Sequence, residues 1–201
     1  GPIKRIIRDM RDFVDQVYLP DTLAIASFYK DWFARGEGVG NFMTYGDFAD
    51  PDGSQLIPAG AVLGRNLQDV RPVDLNDPEQ VTENVAHAWY DYARGEALHP
   101  YDGETKLNYD GPEPPYAQLD PSQAYSWLKS PRWRGQPMEV GPLARLVMWL
   151  ATGNEPVTEA ATKALRQLDL PVEAIYSTMG RTAARAIETK IMADRMEGWL
   201  D

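Results

Sequence analysis

Between residues 95 and 140 the chain sets Pro100, Pro112, Pro114, Pro115, Pro121, Pro131 and Pro137 among Tyr101, Tyr109, Tyr116, Tyr125, Trp127 and Trp133. Each proline removes a backbone donor, so neither a long helix nor a central strand can run through this stretch. Ordinary linkers are not aromatic, and side chains this large need cover. The stretch therefore reads as a long ordered loop, lying over a core or beneath a partner.

The flanks have a different period. Ile3, Ile6, Ile7, Met10, Phe13, Val14 and Val17 recur at spacings of three and four, an apolar stripe on a helix. Pro20 interrupts it, and Asp21 can cap a second helix carrying Leu23, Ala26, Phe28, Trp32 and Phe33, which Gly36 ends. A hairpin or kinked pair follows, with these aromatics assigned to core packing. In the last third, Gly141-Pro142 starts a helix that Gly153 ends, and a second spans about Pro156–Leu168. Pro171 opens the last helix, which Gly180 could break. The small residues Ala183, Ala184 and Ala186 beyond it permit close helix packing.

Between these flanks, Asn41–Tyr45 and Ala61–Leu63 read as short strands, separated by turn signals at 50–53 and Pro58-Ala59-Gly60. Pro58 argues for an edge strand or the start of a loop. Asp77-Pro78-Glu79-Gln80 then predicts a capped helix running to about Tyr92. The fold class is thus mostly α (α+β): a helical bundle with a small antiparallel sheet and the long proline/aromatic loop. The sequence divides into a helical pair (1–35), a β region (36–76), a helix plus the long loop (77–140) and helices (141–201), within one segment, 1–201.

Composition narrows the chemistry. Cysteine is absent, which removes disulfides, zinc ribbons, iron–sulfur ligation and thiol nucleophiles. With only His87 and His99, a histidine-rich metal centre is also excluded. No apolar run approaches the ~20 residues of a membrane-spanning helix. The net charge of −10 is uneven: residues 36–120 hold Arg65, Arg71, Arg94 and Lys106 against a large excess of acids, while both flanks are nearly balanced. Such a field repels phosphate backbones, so nucleic acid is not an expected partner.

Several residues carry charge where chemistry could use it. His87 reads as a packed residue on the predicted helix, and His99 as one whose hydrogen bonds order the loop. Glu104 lies among turn residues. Lys129, Arg132 and Arg134 sit between Trp127 and Trp133, which suits cation–π stacking. Glu139 precedes a helix start, where the dipole favours a carboxylate. Arg181 and Arg185 are one helical turn apart and need anionic partners. Gly36–Gly40 lacks the preceding strand and the Gly-Lys-Ser/Thr ending of a phosphate loop.

Five strings, taken in order, resemble the large subunit of nickel–iron hydrogenases: His87-Ala88-Trp89-Tyr90; Leu98 to Thr105 (LHPYDGET); Tyr125 to Gly135 (YSWLKSPRWRG); Met138 to Arg145 (MEVGPLAR); and Ser177 to Arg185 (STMGRTAAR). The stretch Asn41–Asp77 is similar more loosely. Family members bind a nickel–iron centre through four cysteines, paired near each end of a much longer chain, and this sequence has neither pair. It also lacks the family's N-terminal glutamate motif and C-terminal histidine.

The resemblance therefore implies an internal segment, inactive alone, of a subunit that reversibly oxidises dihydrogen to protons and electrons. Its cofactors would be the parent's nickel–iron centre with magnesium, and iron–sulfur clusters in a small subunit; none is expected on this segment. Its partners would be that small subunit and the missing ends of the large one; the isolated segment is expected to cover part of 95–140 by self-association or leave it mobile, the acidic middle opposing association until salt screens it. Within the family pattern Glu104, Lys129, Arg132, Glu139 and Arg181 are the candidates to stand behind the metal ligands. The strings look most like respiratory uptake enzymes, which implies an exported, membrane-associated parent; a cytoplasmic one is the alternative. A cofactor-free helical scaffold derived from the subunit is the competing reading.

Overall fold

The computed structural model describes residues 1–50, 52–91, 93, 95–103, 105–109 and 122–200. They form two compact units, one built from 1–71 together with 139–201, the other from 72–138. The fold is α+β, with two small antiparallel sheets where one was expected.

The first unit opens with α1 (Pro2–Phe13), a π-helical turn (Val14–Tyr18) and α2 (Leu19–Phe28). The expected break at Pro20 does not occur. A proline inside a helix loses one donor and clashes with the carbonyl four residues back. Here the wider turn before it relieves that clash, with the Leu19 N–H donating to the Val14 carbonyl five residues back. The chain beyond α2 tightens into a 3-10 turn, Lys30–Ala34, rather than continuing helically to Gly36.

Strands β1 (Phe42–Ala49), β2 (Gln55–Val62) and β3 (Val70–Arg71) follow, with Phe42 opposite Val62 and Ala49 opposite Gln55. The turn at 50–53 is present, closed by the Gly53 N–H on the Asp50 carbonyl (2.9 Å). Pro58-Ala59-Gly60 is not a turn, however, but lies inside β2. Pro58 is tolerated because β3 reaches only Ala61 and Val62, which leaves that side of the strand unpaired. A Cβ on Gly60 would come within 2.9 Å of Met148 Cε, so any larger residue there would require the methionine tip to shift.

After residue 138 come α3 (Pro142–Ala151), α4 (Glu155–Leu168), a 3-10 turn (Val172–Tyr176) and α5 (Thr178–Leu200). Asn154 caps α4, its Oδ1 accepting the Val157 N–H at 3.2 Å. Gly180 does not break α5. It stands in the first turn because any Cβ there would strike the Ile175 carbonyl. The core joins Phe42, Ile57 and Val62 of the sheet to Leu143, Val147 and Trp149 of α3 and to Ala184 and Ile187 of α5. Trp149 is 1% exposed, and its indole N–H donates to the Leu56 carbonyl at 2.6 Å.

The second unit corrects the sequence reading most. No helix starts at Asp77. Asp77 does accept from the Glu79 N–H (3.0 Å) and from the Gln80 side-chain amide (3.0 Å), but these bonds close a turn. The β-branched Val81 and Thr82 then open β4 (Val81–Asn84), and His87 adopts φ +59°, which no helix accommodates. β4 pairs with β5 (Ala97–Leu98) and β6 (Ser130–Trp133), and β6 with β7 (Gln136–Pro137), all antiparallel. Three short parts of the expected loop are thereby tied into a sheet. Pro112, Pro114, Pro115, Tyr116 and Pro121 lie outside the described residues.

Candidate functional site

In the first unit, Glu139 is placed by backbone pairing beside β1. Its N–H donates to the Asn41 carbonyl (2.8 Å), and its own carbonyl accepts the Met43 N–H (2.9 Å). Arg181 stands one turn into α5. The two meet as a bidentate pair: Arg181 Nε donates to Glu139 Oε1 and Nη2 to Oε2, each at 2.6 Å. The remaining fork nitrogen, Nη1, donates to the Gly36 carbonyl. Hydrogen bonding to Glu139 raises the Arg181 guanidinium above its already high ordinary value. Both side chains are mostly shielded, at 28% and 18% exposure.

Gly36 and Gly38 owe their place to this cluster rather than to a phosphate. Gly38 has φ +71°, and a Cβ there would fall 2.6 Å from Arg181 Nη2. Gly36 has φ +74°, with its Cβ direction blocked by Thr178 Oγ1. The loop thus lies flat on the ion pair, and the Thr178 N–H reaches back to the Arg35 carbonyl (2.9 Å).

A second bidentate pair lies at the middle of the same helix. Arg145 of α3 donates to Glu188 of α5 at 2.9 and 3.0 Å. Sequence reasoning missed Glu188, since nothing in a string of single residues marks partners 43 positions apart. It also missed Arg65, which pairs with Glu37 and lies 4.8 Å from the ring centre of Tyr176, beside a cavity of about 410 Å³ lined by Phe33, Arg35, Glu173 and Ser177. Burial pushes the Tyr176 phenol up from its ordinary pKa.

Lys129 and Arg132 belong to the second unit. Lys129 Nζ donates to Glu83 Oε2 at 3.1 Å and lies 5.9 Å from the Tyr90 ring centre, bordering a cavity of about 30 Å³ that Asp91 and Gly103 also line. That volume holds about one water molecule. Arg132 Nη1 donates to the Pro131 carbonyl (3.1 Å), and Arg134, not Arg132, stacks on Trp133 at 5.4 Å. Glu104 lies outside the described residues.

Both histidines serve the local chain. His99 Nδ1 accepts the Tyr101 N–H (3.3 Å), which leaves Nε2 to donate to the Leu75 carbonyl (3.0 Å) and assigns the tautomer. His87 Nδ1 is 3.3 Å from the Gln123 carbonyl, on a turn rather than a helix. Among the described residues no three His, Asp or Glu side chains converge as a metal-ligating group. A soft nickel–iron centre asks for thiolates, and the sequence has no cysteine, so this chain's residues do not fit that centre.

The whole chain, residues 1–201, matches the family model of nickel-dependent hydrogenases. It is 44% identical to the uptake hydrogenase large subunit of Rhizobium leguminosarum bv. viciae, across 94% of this chain and 34% of that protein. With the hydrogenase-1 large chain of Escherichia coli (strain K12) it shares 39% identity, across 99% of this chain and 36% of the relative. The Ni-Fe-Se hydrogenase of Desulfovibrio vulgaris Hildenborough in the reduced state superposes with a TM-score of 0.69 at 33% identity, covering 96% of this chain and 38% of that one. The chain thus spans about a third of the length of the curated relatives it matches.

Proposed function

The chain belongs to the nickel-dependent hydrogenase family, and from that premise we propose that it serves as a framework segment of a hydrogenase large subunit. The reaction of the parent would be reversible oxidation of dihydrogen to two protons and two electrons. The observation that carries this reading is the match over every residue of the chain, with identities of 39–44% to hydrogenase large subunits.

In this reading the segment holds no metal. Its thiol-free donor set does not suit nickel, so nickel–iron ligation falls to other parts of the large subunit. Magnesium, and iron–sulfur clusters on a small subunit that receives the electrons, belong to the same proposal for the parent. An exported, membrane-associated complex is its proposed setting, supported by the likeness to uptake hydrogenases. Among the described residues no helix is long and apolar enough to cross a membrane.

The segment's own contribution is positional. Glu139 and Arg181 are the only two of the five candidates that meet each other among the described residues. A bidentate fork fixes both planes at once, so the pair joins the start of α5 to the edge of β1 with little rotational slack. We assign Glu139 and Arg181 as positioning residues; Lys129, Arg132 and Glu104 are proposed only as framework.

Two measurements test this. Elemental analysis of the purified 201-residue chain should show no stoichiometric nickel; one nickel per chain would overturn the reading. In the assembled enzyme, Arg181→Lys keeps the charge but loses the fork. It should shift the pH profile of hydrogen oxidation with nickel content unchanged, whereas an unmoved profile would reduce the pair to a purely structural clasp.

A further inference from the structure

The helix that opens the first unit has two apolar faces, and the fold uses one of them. Ile7, Val14, Leu23 and Ala26 turn inward and are buried. Ile3, Ile6, Met10, Phe13 and Val17 stay exposed, Ile6 at 63%. Their spacing alternates three and four residues, which is the seam spacing of paired helices. The apolar stripe read from the sequence as core packing is thus only partly core.

Pro20 should end such a seam. In an uninterrupted α-helix its next positions would be 20 and 24, occupied by Pro20 and Ala24. The π-helical turn at 14–18 accommodates one additional residue, so every later position falls one residue further on. Beyond it the first shifted position is Asp21, and the next two are the exposed Ile25 and Phe28, three apart again, with Phe28 85% exposed; Tyr29 and Trp32, also exposed, lie past the end of α2. The turn that relieves the proline clash therefore also keeps the open seam in step across it.

A seam of this kind fits a helix. It is a strip rather than a pocket, and the acidic chain disfavours nucleic acid. Large apolar side chains left exposed along one helical line mark an interaction site. The matched large subunits are about three times as long as this chain, so most of such a subunit is polypeptide beyond the matched stretch. We propose that the face running from Ile3 to Phe28 is the seat of an amphipathic helix contributed by the remainder of the same large subunit. The proposal rests on reading the chain as part of that subunit.

Hydroxyl-radical footprinting tests it, reading oxidation of Met10, Phe13 and Phe28 by mass spectrometry. The samples are the 201-residue chain at low and high concentration, the full-length large subunit, and that subunit with its small subunit. Strong oxidation is expected in the dilute chain, with protection of about tenfold or more in the full-length subunit alone, since interface cores pack like protein interiors. Three results would overturn it. Equal oxidation in chain and full-length subunit would make the face free surface. Protection appearing only with the small subunit would make it an inter-subunit face. Protection of the chain alone at high concentration, with none added in the full-length subunit, would make its occupant a second copy. Hydrogen turnover by the assembled enzyme is measured separately; its loss would count against the functional reading and leave the footprint standing.

Discussion

The two units solve the problem of burying large side chains in opposite ways. The first uses regular elements. Helices α3, α4 and α5 and the β1–β2 hairpin share one cluster around Trp149, and charged groups at its margin are held by two-pronged ion pairs. Among its described residues the second has only short strands, and its aromatics cover one another. Trp89 meets Tyr109 edge-on at 4.9 Å, and Tyr109 lies 5.3 Å from Trp127. Trp89 and Trp133 are buried, but Tyr101 and Leu128 remain largely in solvent. The difference shows what proline density costs: without long elements, ring-on-ring contact substitutes for a layered core, and the covering is incomplete.

The largest expected effect lies in the first unit. Trp149→Ala should destabilise it by about 3–5 kcal/mol, because a fully buried ring and a satisfied indole donor are lost together. Chemical denaturation followed by far-ultraviolet circular dichroism reads this; a loss below ~1 kcal/mol would mean that the layered core is looser than its burial implies. Next comes the clasp. Glu139→Gln should cost about 1–2 kcal/mol, a partly shielded pair being worth less than a buried one. A double-mutant cycle with Arg181→Lys should show that most of this cost is coupling, and additive losses would dissolve the clasp into two independent contacts.

In the second unit, Trp127→Ala should cost only about 0.5–1.5 kcal/mol while visibly changing the near-ultraviolet signal of the aromatic cluster. A larger loss would show that this cluster is a true core and would erase the contrast. The smallest effect concerns acid. The Glu79 N–H, followed by the Gln80 side chain, holds the Asp77 carboxyl below its ordinary pKa. The folded state thus resists protonation where the unfolded chain accepts it. The contribution is present above the unfolded pKa of about 4 and is lost as pH falls through the lower folded value. Asp77→Asn should therefore lose this small contribution near neutrality, and its acid denaturation should lack the corresponding pH-dependent component; an unchanged acid limb would remove Asp77 from the account.

The elements set by neighbours in sequence were readable. Pro142, Gly153 and the apolar residues between them mark α3, because caps and periodicity act within a few residues. Asp77 misled for the same local reason: a carboxylate accepting an N–H two residues on serves a turn as well as a helix start. What decided between them was β4 pairing with Ser130–Trp133, nearly fifty residues away, which no window of sequence contains. The site divides likewise. Glu139 was legible as a carboxylate at a helix start and Arg181 as a cation needing a partner, yet their pairing across 42 positions is a tertiary fact. Lys129 was legible too, whereas its partner Glu83 carried no signal.

The order in which the two units occur along the chain bears on how the protein is made. The second unit is one uninterrupted run, 72–138, whereas the first is written in two instalments on either side of it. A ribosome delivers residues from the N-terminus onward, so the run 72–138 is complete while the first unit still lacks α3, α4 and α5. Through that interval Phe42, Ile57 and Val62 lack α3 and α5, which share their cluster in the finished unit. The vulnerable moment of biosynthesis is therefore set by translation through residues 139–201. Slowing the ribosome there should prolong exposure of the β1–β2 hairpin, and slowing it before residue 42 should not.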